Sequence, residues 1–142
     1  MKKRKEKILL VEDDEYLAKA YDFFLKAEGF TVTLVMNGTE VIKTALAVRP
    51  DIILLDLIIP GLNGFEVLAR LKRNSKLKKI PVIIVSNLGQ ESDIRECRHL
   101  GAVDFLVKSD YSMKEVLSRV ERELDLHAMP IEPVSKKRIR PY

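Results

Sequence analysis

Five short apolar runs punctuate the chain, at 7–11, 31–35, 52–55, 82–85 and 103–107. Ile8–Val11, Ile52–Leu55 and Val82–Val85 are apolar at every position instead of alternating. A strand with no polar face is covered on both sides, the condition of parallel strands joined by helical crossovers. The intervening segments carry the helical period. Over about 15–28, Leu17, Tyr21, Phe24 and Leu25 share one face, and Gly29 ends it. A second helix is predicted over about 38–48, after Asn37-Gly38 and before Pro50, whose ring disfavours helix in the preceding residue. A third, over about 64–73, turns Phe65, Leu68 and Leu71 inward, and a fourth, over about 90–100, closes at Gly101. The fifth begins at Ser112, with Glu115 at capping-box spacing and Tyr111 and Val116 placed as a hydrophobic staple. Its core stripe is Val116, Leu117, Val120 and Leu124. Five strand–helix alternations predict an α/β domain, a doubly wound five-stranded parallel sheet with helices on both faces.

Composition narrows the class. A chain of 142 residues suits one domain, and 46% apolar with 32% charged residues excludes wholesale disorder. The single cysteine, Cys97, excludes an intrachain disulfide framework, a Cys-rich zinc site and an iron–sulfur cluster. No apolar run approaches the roughly 20 residues of a membrane span. The basic start Lys2-Lys3-Arg4-Lys5 leads into Ile8–Val11 and then four acids, too short for a signal-peptide core, so a cytoplasmic location is expected. The net charge of +4 and pI of 9.2 invite a nucleic-acid role. Residues 1–7, however, hold five cations against one acid, and 127–142 hold four against one, which leaves 8–126 at net −3. The expected organisation is a basic extension at 1–6, a working domain at 7–126 and a basic, Pro-containing tail at 127–142. Sixteen tail residues are too few for an effector domain, so the domain is expected to act alone. Any nucleic-acid contact would belong to the basic ends.

The polar residues that interrupt the strands fall at one end of each. Glu12, Asp13, Asp14 and Glu15 follow the first run, Asp56 the third, Ser86 the fourth and Lys108 the fifth. In a parallel sheet these carboxyl ends share a rim, and ligands bind where the winding reverses. With strand order 2-1-3-4-5 that point makes neighbours of Asp13 and Asp56. Crowded carboxylates raise one another's pKa unless a cation intervenes, and an all-oxygen site suits a hard divalent ion, Mg²⁺ before softer metals. Lys108 and Ser86 add an ammonium and a hydroxyl, completing a cradle for a phosphoryl group. Asp56 is the best-placed nucleophile, since a carboxylate accepts phosphoryl as an acyl phosphate. Asp14 and Glu15 read as first-turn residues favoured by the helix dipole. His99 and His127 read as surface residues, Cys97 as a small packing residue, and Arg70, Lys72, Arg73, Lys76, Lys78 and Lys79 as a solvated helix end and loop.

The stretches Ile-Leu-Leu-Val-Glu-Asp-Asp-Glu (8–15), Pro-Asp-Ile-Ile-Leu-Leu-Asp-Leu-Ile-Ile-Pro-Gly-Leu-Asn-Gly (50–64), Ile-Ile-Val-Ser (83–86) and Phe-Leu-Val-Lys (105–108) together resemble the receiver domain of two-component response regulators, of the chemotaxis-regulator-like single-domain type. The resemblance implies a flavodoxin-like fold, with Asp56 as phosphoacceptor. It implies Mg²⁺ held by Asp13, by Glu12 through water, by Asp56 and by the backbone carbonyl of Ile58. Ser86 and Lys108 would contact the phosphoryl group, and Phe105 would occupy the place of the rotating switch aromatic. The implied donor is a sensor histidine kinase or a phosphotransfer protein. The implied output surface is helix four, strand five and helix five, open to a partner protein or a second copy. Such a domain catalyses only its own phosphorylation and dephosphorylation. Three positions depart from the family's usual pattern: Ser109 replaces a Pro that often follows a cis bond, Asn87 replaces a small residue, and Phe105 lacks the hydroxyl of the frequent Tyr. Ile58 and Leu88 are apolar where a side chain could orient an attacking water, so slow self-dephosphorylation is expected. A haloacid-dehalogenase-type phosphohydrolase would need an Asp at position 58, and a flavodoxin-like cofactor binder would need a Gly-rich loop in place of the four acids. The remaining alternative is a pseudo-receiver that binds partners without phosphorylation.

Overall fold

The computed structural model describes residues 4–128. Its elements are β1 (Lys7–Val11), α1 (Glu15–Ala27), β2 (Thr31–Val35), α2 (Val41–Val48), β3 (Ile52–Leu55), α3 (Gly64–Arg73), β4 (Val82–Ser86), α4 (Glu91–Leu100), β5 (Asp104–Val107) and α5 (Met113–Ala128). All strand pairs are parallel, in the order β2-β1-β3-β4-β5. The doubly wound, flavodoxin-like α/β fold is therefore the one expected.

Side-chain caps set the helix starts. Asp14 Oδ1 accepts the Leu17 N–H at 3.1 Å, and Asn63 Oδ1 accepts the Glu66 N–H at 3.1 Å. The Ser112–Glu115 box closes in both directions, at 3.1 and 2.8 Å. Each bond satisfies an N–H that the first helical turn leaves without a partner. The second helix differs from its predicted span. Residues 38–40 wind as a 3-10 turn, and α-helix starts at Val41. The Gly38 N–H is spent on the Pro60 carbonyl at 2.9 Å, and a Cβ at Gly38 would strike the Leu62 backbone, so the chain is fixed to the β3–α3 loop before it enters the helix. In α3 the buried side chains are Val67, Leu68 and Leu71, while Phe65 is only partly covered at the cluster's edge.

Two apolar layers enclose the sheet. Leu9, Val11, Ile53, Leu55 and Ile84 pack against α2, α3 and α4 on one side. Ile8, Leu10, Leu54, Val85 and Leu106 pack against α1 and α5 on the other. Cys97 is fully buried in the first layer, as a packing residue would be, and burial pushes its thiol up to about 12. His99 and His127 are exposed. Within the basic run, Lys72 is not simply solvated: its Nζ donates to the Lys78 and Ile80 carbonyls at 3.1 and 2.9 Å, and burial pushes its pKa down. Arg4, assigned above to the basic extension, bonds Glu6 and Asp125 at 3.0 Å each, and its backbone N–H donates to the Glu28 carbonyl. Among the described residues no helix is long and apolar enough to cross a membrane. The tail from 129 onward lies outside the described residues.

Candidate functional site

Glu12, Asp56 and Lys108 each stand one residue beyond a strand. Continuing the two-residue alternation places them on the side of Leu10, Leu54 and Leu106, which is the α1–α5 side. There they meet. Lys108 Nζ lies 2.8 Å from Glu12 Oε1 and 2.8 Å from Asp56 Oδ2. Each carboxylate is held on its other oxygen by the backbone: Glu12 Oε2 accepts the Asp14 N–H at 3.0 Å, and Asp56 Oδ1 accepts the Ile58 N–H at 3.2 Å. Gly64 sits against the Asp56–Leu57 backbone, where a Cβ would come within 2.5 Å of the Asp56 carbonyl oxygen. The loop after β3 is thus fixed by packing that only glycine permits.

Glu12 and Asp56 are buried, at 2% and 5% exposure, whereas Asp13 is open to solvent. One oxygen from each of the three lies within 4.8 Å of the others. Three carboxylates against one ammonium leave an excess of two negative charges at a buried rim, a situation that like-charge repulsion makes costly. Burial pushes the Glu12 carboxyl up despite its bond to Lys108. For Lys108 burial favours the neutral amine, but the hydrogen bonds and charges of Asp56 and Glu12 outweigh it and hold the ammonium above its usual range. The donor set is oxygen only, carries surplus negative charge and is open on the Asp13 side, so it fits a hard divalent cation such as Mg²⁺.

Ser86 ends β4, is fully buried, and its Oγ accepts the Leu88 N–H at 3.4 Å. Ile58, beside Asp56, is 57% exposed. Phe105 is half-buried on β5, packed with the α2–α3–α4 layer and lining a small cavity with Ile94, Cys97 and Ala102. The Lys108–Ser109 peptide is trans, and 108–110 form a 3-10 turn leading toward α5. The structure therefore brings Glu12, Asp13, Asp56 and Lys108 into one cluster, places Ile58 in the loop after β3 and Ser86 at the end of β4, and leaves Phe105 apart, toward α4. Sequence reasoning placed Tyr21 in the core and assigned it nothing more. Its hydroxyl on an apolar helical face was the available signal, because a buried phenol ordinarily needs a partner.

A five-stranded parallel sheet with an acidic, lysine-bridged cluster at its switch point defines a doubly wound α/β domain whose site lies at the carboxyl ends of its strands. Residues 8–121 match the model of the response regulator receiver domain, and the chain belongs to that family. It is 38% identical over 112 residues to the "Probable transcriptional regulator ycf29" of Pyropia yezoensis, covering 79% of this chain and 50% of that protein. It is 34% identical over 118 residues to the phosphate regulon transcriptional regulatory protein PhoB of Rhizobium meliloti, covering 83% and 52%. The chain thus spans about half the length of these curated relatives. Among solved structures it is similar to the Mn²⁺-bound form of the response regulator Rcp1, with a TM-score of 0.73 at 27% identity over 91% of this chain and 99% of that one.

Proposed function

We propose that the protein is a phosphorylation-activated receiver that takes a phosphoryl group onto Asp56 from the phosphohistidine of a sensor kinase or phosphotransfer protein. The observation that carries the reading is the Lys108 ammonium held at 2.8 Å from both Asp56 and Glu12, with the Asp13 carboxylate alongside. An Asp56 carboxylate oxygen attacks phosphorus as the bond to the donor's imidazole nitrogen breaks, giving an acyl phosphate and a neutral imidazole after proton uptake. Lys108 exchanges its carboxylate contact for a phosphoryl oxygen, and the Ser86 hydroxyl donates to another. Glu12, Asp13, Asp56 and the Ile58 backbone carbonyl are the groups that would hold Mg²⁺. When bound, such an ion would supply positive charge for the phosphoryl oxygens in the transition state.

The consequence is a shift of position at Ser86 and Phe105. These lie toward α4, so the α4–β5–α5 surface is the one that changes for an output partner or a second copy of the chain. The same reading places the domain in the cytoplasm, with no membrane contact, and confines any nucleic-acid contact to the basic ends. It makes the domain a phosphoacceptor that catalyses only its own phosphorylation and dephosphorylation. With apolar Ile58 and Leu88 beside the site, the phosphorylated form should persist well beyond seconds once the donor is removed. Intact-mass measurement after acetyl phosphate with Mg²⁺ tests the central claim. One phosphoryl is expected on the wild-type chain and none on Asp56→Asn or in EDTA. An equal gain on Asp56→Asn would overturn it.

A further inference from the structure

Tyr21 is the polar group for which the chemistry above has no use. It lies on the inner face of α1 at 4% exposure, in the layer that supports Glu12, Asp56 and Lys108. Its hydroxyl is not sealed in the core, since among the described residues no fully enclosed side-chain polar atom lacks a partner, and it is free to take a water as partner. A cavity of about 10 Å³ lies beside it, lined by Leu10, Val11, Glu12, Tyr21, Leu54 and Val85. That volume is about the least that holds one water molecule. Tyr21 and Glu12 supply its only polar side chains. The charges of Lys108, Glu12 and Asp56 all reach the phenol.

Glu12 has a specific need for such a partner. One of its oxygens is held by the Asp14 N–H and the other by Lys108. When Lys108 turns to a phosphoryl oxygen, the second oxygen loses its donor while the carboxylate stays buried. We propose that Tyr21 is a positioning residue for Glu12: its hydroxyl donates to one water in this cavity, and that water donates to the Glu12 carboxylate. The acid then keeps its orientation toward the metal whether or not Lys108 is engaged elsewhere. The inference rests on the metal-dependent phosphoacceptor reading given above.

Tyr21→Phe removes the hydroxyl and keeps the ring, so the core packing is preserved. Isothermal titration of the full chain with Mg²⁺ should give binding about fivefold weaker than wild type, the loss expected for one water-mediated hydrogen bond. The thermal midpoint without metal should stay unchanged. In a Glu12→Ala background the same substitution should cause no further loss, because the group it positions is gone. A high-resolution crystal structure should show one ordered water within hydrogen-bond reach of both side chains. Equal Mg²⁺ affinity of Tyr21→Phe and wild type would overturn the inference, and so would an equal loss in both backgrounds. A wild-type chain that binds no Mg²⁺ would bring down the phosphoacceptor reading with it. Wild-type binding that is indifferent to Tyr21→Phe would bring down this inference alone.

Discussion

On the α2–α3–α4 side of the sheet the buried layer is apolar apart from the Cys97 thiol and, at the end of β4, the Ser86 hydroxyl. The α1–α5 side carries Tyr21 and, at its rim, Glu12, Asp56 and Lys108. The two layers share the same strands, so the difference comes from which way each strand-end side chain points. One layer does what close-packed apolar groups do, gaining roughly 25 cal/mol for each Å² withdrawn from water. The other gives up part of that gain to hold crowded carboxylates around a single cation. Sites of this kind commonly trade stability for chemistry. The comparison teaches that the charged cluster and the larger apolar layer lie on opposite faces of one sheet, so each is a target that can be disturbed while the other is watched.

The largest disturbance is expected from Lys108→Met. It leaves Glu12 and Asp56 facing each other without a cation, and breaking a buried pair in this way costs about 3–5 kcal/mol. Urea unfolding in EDTA should show that loss, and Mg²⁺ should restore a share of it. A variant as stable as wild type in EDTA would mean that the rim charges are not under the strain inferred here. On the opposite layer, Leu71→Ala should cost about 3 kcal/mol by opening a cavity while leaving Mg²⁺ affinity at the wild-type value. A change in affinity would show that the two layers are coupled. The smallest effect concerns Cys97. Its thiol is held protonated up to about 12 in the folded chain, against an ordinary value of 9.0. The folded state therefore binds this proton more tightly, and the resulting stabilisation is present below pH 9 and lost as pH rises from 9 toward 12. At pH 8 a thiol reagent should label Cys97 slowly in the native protein and at once in urea. Rapid native labelling would contradict the sealed layer.

Much of this division was legible in the residues. The uninterrupted apolar runs Ile52–Leu55 and Val82–Val85 can belong only to strands covered on both faces, and they predicted the parallel sheet. Asp56, Ser86 and Lys108 were visible because each breaks or ends such a run at the same end. The start of α2 was less legible, because Gly38 satisfies the ordinary signal for a helix start while a tertiary bond to Pro60 delays the α-helix to Val41. The size and spacing of Phe65 predict an inward side chain, yet it is only partly covered while Val67 is buried, since the buried face of α3 is set by where the helix meets the sheet. Tyr21 was hidden for a different reason. Helical periodicity identifies a side chain's direction but says nothing of what lies beyond its tip.

The clasp formed by Arg4, Glu28 and Asp125 has a geometric consequence. It joins the entry to β1 to the end of α5, at the pole where the strands begin. The acidic cluster occupies the pole where they finish. A protein immobilised through either Arg4 or Ala128 would therefore present its acidic cluster away from the support. Labels or anchors attached there should leave the acidic cluster sterically clear.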